Sequence, residues 1–142
     1  MTLLLSAPDG FAILGLRAYL RGCAIVWLAP ALLGLLALGL QWLAGSQSWG
    51  DGWLMLWAFS VLLVVSPALT WFGLVLVSPL VAVLMDRGWF GYIPATALGL
   101  AVGAATAFLI GNPLVITFGA AMLAALRAIL ARISPRAFAT DR

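Results

Sequence analysis

Few residues of this chain are equipped for chemistry. Its 142 residues include no His, Glu or Lys; the acids are Asp9, Asp51, Asp86 and Asp141, the bases are seven Arg, and the one thiol is Cys23. Without His, the commonest haem, zinc and copper ligand and the usual general base are missing. A proton- or cation-coupled transporter keeps an ionisable residue at membrane depth, and residues 22–50, 52–85 and 88–126 contain no Asp, Glu, Lys or Arg. The polar side chains read as lying between the headgroups are Ser60, Ser66, Thr70, Ser78, Thr106 and Thr117, with Asn112 at an edge. In apolar helices such hydroxyls usually bond back to their own backbone carbonyls. The adjacent Asp86 and Arg87 read as an interfacial anchor. Cys23, alone, forms no internal disulfide and reads as a small packing residue. The expectation is therefore a chain that is not an enzyme, with no catalytic residue, cofactor or metal.

The uncharged runs define the elements. A bilayer-spanning helix needs roughly 20 apolar residues, and a composition of 65% hydrophobic and 8% charged residues is far from that of a water-soluble domain of this length. The sequence predicts an all-α polytopic membrane protein, one transmembrane domain over residues 1–142 with four spans. The first covers about 23–43 and ends in a polar Gly- and Ser-containing loop at 44–52. The second covers about 53–75, kinked near Pro67, with an extension to 85 that is tilted, interfacial or re-entrant around Pro79. The third covers about 91–110, and the Gly111, Asn112, Pro113 turn leads into the fourth, about 113–130. Arg127 is expected to reach the headgroups from the end of that span. Ser6 and Asp9 suggest a variant capping box opening a short helix through Phe11, Leu14 and Tyr19 to Arg21, either interfacial or an extension of the first span. Residues 1–10 lack a basic region, so the N-terminus reads as retained.

Threading four spans puts every Arg on one side and Asp51 on the other, which by the positive-inside rule makes both termini cytoplasmic in an inner membrane. Trp42, Trp49 and Trp53 bracket the outer loop, and Trp89, Phe90 and Tyr92 mark the inner edge of the third span, as aromatic belts do. Because the arginines flank apolar segments rather than forming an exposed patch with polar partners, nucleic acid is not an expected partner.

Two features invite a functional reading. The third span has small residues every four positions, at Ala95, Gly99, Gly103, Ala107 and Gly111, a surface for close helix packing. Ala120, Ala124 and Ala128 offer a matching ladder on the fourth span, so the stripe serves either internal packing or docking onto another subunit. The second feature is the pair of helix breaks at Ser66-Pro67 and Ser78-Pro79, which reads as a kink that shortens an overlong helix or as a broken-helix site. Together these point to an accessory, assembly or stabilising subunit of a larger membrane complex, in contact with lipid and with other subunits or copies of itself. The alternative is a small passive channel or transporter built on the broken second span. In a Cys23→Ser background, thiol labelling should reach Ser48→Cys from outside the cell and Ser134→Cys only from the cytoplasm; the reverse pattern would overturn the threading.

Overall fold

The computed structural model describes residues 5–45 and 50–138. It is all-helical, with no strand among the described residues. The elements are α1 (Gly10–Leu14), α2 (Leu16–Ala44), α3 (Gly50–Asp86), α4 (Tyr92–Ile110), α5 (Leu114–Ile133) and a 3₁₀ turn at Pro135–Phe138. Three helices, α2, α4 and α5, are long and apolar enough to cross a membrane, and α3 makes a fourth if its two parts, Gly52–Ala68 and Gly73–Asp86, count as one span. Residues 46–49 of the expected outer loop and Arg142 lie outside the described residues.

The helix boundaries follow local chemistry. The short N-terminal helix stops at Gly15, whose φ of 74° is left-handed. The stop expected at Arg21 does not occur: both Arg17 and Arg21 lie within α2. Gly22 is helical there, and a side chain on it would collide with Leu130. The capping box does not form either. Asp9 makes no side-chain cap, and the Ser6 hydroxyl instead accepts a hydrogen bond from the Phe90 N–H at 3.2 Å. At the other turn Gly111, at φ 75°, ends α4 and its N–H bonds the Ala107 carbonyl, while Pro113, with α-helical angles, opens α5.

The chain divides into two compact units, Met1–Val26 with Gly73–Arg142, and Trp27–Phe72. In the first, α5 folds back along α4 at backbone contact. A Cβ on Gly99 would stand 2.5 Å from the Gly119 carbonyl oxygen and 2.8 Å from the Ala120 Cα; one on Gly119 would stand 2.6 Å from the Gly99 oxygen. Gly103 faces Ile116 with the same closeness, 2.8 Å to its Cα. Lipid tails are as apolar as the side chains, so such closeness, through dispersion, supplies much of the packing energy. The core of this unit includes Val81, Met85, Phe90, Leu126 and Leu130, each fully buried.

In the second unit the later part of α2 packs on the earlier part of α3. Gly34 lets them approach, since a Cβ there would meet the Ser60 oxygen at 2.6 Å and the Val64 nitrogen at 2.8 Å. Trp27 Nε1 donates to the Pro67 carbonyl at 2.8 Å, and Gln41 Nε2 to the Ser60 hydroxyl at 3.0 Å.

Gly99→Ala and Gly119→Ala should each lower stability by about 1–3 kcal/mol through overpacking. Gly39→Ala, with nothing within 4 Å of the added carbon, should be neutral or stabilising by up to about 1 kcal/mol. Thermal unfolding in mild detergent measures the difference, and equal midpoints for the three variants would contradict this packing.

Candidate functional site

Among the described residues Arg127 is the most deeply buried charge, 1% exposed, on the last part of α5. The expectation that it snorkels to the headgroups is wrong: its guanidinium turns inward. Burying a cation is costly unless it is compensated. Here Nε donates to the Phe90 carbonyl at 2.8 Å, and the guanidinium carbon lies 3.9 Å from the Phe138 ring centroid and 4.9 Å from that of Tyr92. Among the described residues no carboxylate accompanies it. A charge-assisted hydrogen bond together with two aromatic rings holds it instead. The planar guanidinium suits stacking in a way that an ammonium does not.

Four segments meet at this point. The Phe90 backbone is held at both of its polar groups, its carbonyl by Arg127 and its N–H by Ser6. The N-terminal segment is further tied by Ser6 N–H to the Gly88 carbonyl (2.7 Å), Asp9 N–H to the Asp86 carbonyl (3.1 Å) and Ala7 N–H to the Ala137 carbonyl (3.1 Å). Gly88, at φ 72°, permits the turn, and a Cβ there would sit 3.0 Å from the Ser6 oxygen. Phe90 is fully buried, so it is a core residue rather than part of the aromatic belt, whereas Trp89 is exposed.

Most of the remaining polar side chains of the apolar helices bond to backbone. Ser60 donates to the Leu56 carbonyl, Thr70 to Ser66, Ser78 to Leu74, Thr96 to Tyr92 and Thr106 to Val102. Ser66 donates to the Leu63 carbonyl at 2.7 Å. That is the carbonyl deprived of its helical partner by Pro67, which has no N–H. Ser78 also accepts from the Tyr19 hydroxyl at 3.0 Å. The break in α3 falls at residues 69–72, just beyond Pro67; Pro79 lies within the helical Gly73–Asp86 part.

The third-span stripe separates into two behaviours. Ala95, Gly99, Gly103 and Ala107 are buried, and Gly99 and Gly103 meet α5 at Ile116, Gly119 and Ala120. Gly111 is exposed and caps the helix. Sequence reasoning overlooked Gly119, which stands against Gly99. It also overlooked Gln41, a buried amide whose Oε1 has no hydrogen-bond partner. An uncharged side chain inside a charge-free run gives little warning. Among the described residues no three metal-ligating side chains come together. Comparison with protein-family models, with curated proteins and with solved structures returned no match.

Arg127→Met keeps the stem but removes the donor and the charge. It should cost about 2–4 kcal/mol, from one hydrogen bond to a charged group and the ring contacts. Arg127→Lys should recover little of that, and Arg132→Gln, on the exposed end of the same helix, should fall within about 0.5 kcal/mol of the parent. Thermal midpoints check the ranking.

Proposed function

We propose that the chain is a non-enzymatic integral membrane protein with four spans and both termini on the cytoplasmic side of an inner membrane, acting as an accessory, assembly or stabilising subunit of a larger membrane complex. One observation carries the reading. The polar groups within the apolar helices are largely committed to bonds inside the chain, and the deeply buried charge among the described residues, Arg127, stacks on rings and holds a backbone carbonyl. Such groups position helices; they are not presented to a substrate. The small residues of α4 are engaged by α5, so a partner subunit would meet other faces. Exposed Leu32, Leu36, Leu40, Leu54, Met55 and Phe59 supply apolar surface of that kind.

A passive channel or small transporter is the second reading. It is favoured by the break after Pro67 and by the unpaired Gln41 carbonyl oxygen, two features of the Trp27–Phe72 unit. Native electrophoresis after gentle extraction at natural expression level should show the chain in a high-mass complex; migration only as a monomer or small homo-oligomer would overturn the subunit reading. Liposome flux abolished by Pro67→Ala in a folded protein would establish the channel in its place.

A further inference from the structure

The end of the first unit that gathers the start of α2, the turn at residues 86–91 and the end of α5 carries five exposed arginines, Arg17, Arg21, Arg87, Arg132 and Arg136. Exposed Asp9 and Asp86 are the acids among them. Arg17 and Arg21 are four apart on α2, hence on one helix face, where like charges repel unless an anion lies between them. The first turn of α2 holds no acidic residue.

At 29 residues α2 is about 43 Å long, against a hydrocarbon thickness of about 30 Å, so its end turns stand at headgroup depth. Leu20, between the two arginines in sequence, and Ile25, about one turn beyond Arg21, are also exposed on this helix. Guanidinium groups at headgroup level beside exposed aliphatic side chains match a molecule with a phosphate at one end and acyl chains at the other. We infer that Arg17 and Arg21 form a clamp for the phosphate of an anionic phospholipid, whose chains lie along the exposed face of α2. Guanidinium offers forked donors to phosphate oxygens. A zwitterionic lipid presents the same phosphate beside its own cation, which this positive end disfavours.

The inference rests on the chain lying in a bilayer, and the test separates the two claims. The full chain is reconstituted into vesicles of dioleoylphosphatidylcholine, alone or mixed with dioleoylphosphatidylglycerol. Flotation reports insertion, and native mass spectrometry of the released protein reports retained lipid. Phosphatidylglycerol should be retained over phosphatidylcholine by about tenfold or more, given roughly fivefold per arginine at an anionic surface. R17Q/R21Q should bring that ratio to near unity, while R132Q keeps most of it. Inorganic phosphate in the buffer should not displace the lipid. Failure to float with either vesicle refutes the membrane reading. Flotation with no selectivity, equal loss in R132Q and the double variant, or displacement by inorganic phosphate each refutes the clamp.

Discussion

Hydrocarbon offers no water to complete a hydrogen bond and no hydrophobic effect to press helices together, and the rest of this structure depends on how the chain answers both constraints. Contact comes from glycine. Gly99 and Gly119 bring α4 and α5 to backbone contact, Gly22 makes room for Leu130, and Gly34 plays the corresponding part in the other unit. Hydrogen bonding is largely met within the chain, by Ser and Thr returning to backbone carbonyls and by Trp27 reaching the Pro67 carbonyl, with Gln41 Oε1 the buried exception among the described residues.

Arg127 meets the same constraint in its most demanding form. Its guanidinium is removed from solvent, so the Phe90 carbonyl and the Phe138 and Tyr92 rings take the place of hydration. The consequence is mechanical. Segments distant in sequence, the N-terminal stretch, the turn after α3 and the C-terminal 3₁₀ turn, are joined at one end of the first unit. With Ser66 donating to the carbonyl that Pro67 leaves unpaired, the features most suggestive of chemistry in the sequence are given structural work.

The helical class and the apolar segments were legible because charge-free runs are long and their boundaries hold Gly, Pro and Asp. The turn at Gly111 to Pro113 and the helices on either side of it agree with local backbone preference. Two things were not legible. The direction in which Arg127 turns depends on Phe90 and Phe138, which are remote in sequence, and a long side chain near a helix end fits either outcome. The role of Ser6 depends on the Phe90 N–H, so its spacing from Asp9 pointed to a cap that tertiary contact overrode. The stripe on α4 was visible as a pattern; what it touches depended on Gly119, a single residue outside the alanine ladder.

The central claim is that the small residues of α4 serve the chain's own fold. Solid-state NMR of protein carrying ¹³C only in glycine, in lipid, reads it directly through cross-peaks from the Gly119 α-carbon to those of Gly99 and Gly103. Diluting the labelled protein into an excess of unlabelled protein should leave these cross-peaks undiminished per labelled chain. Their loss on dilution would place the contacts between copies, and their absence at any dilution would place the α4 stripe against lipid; either result contradicts the account.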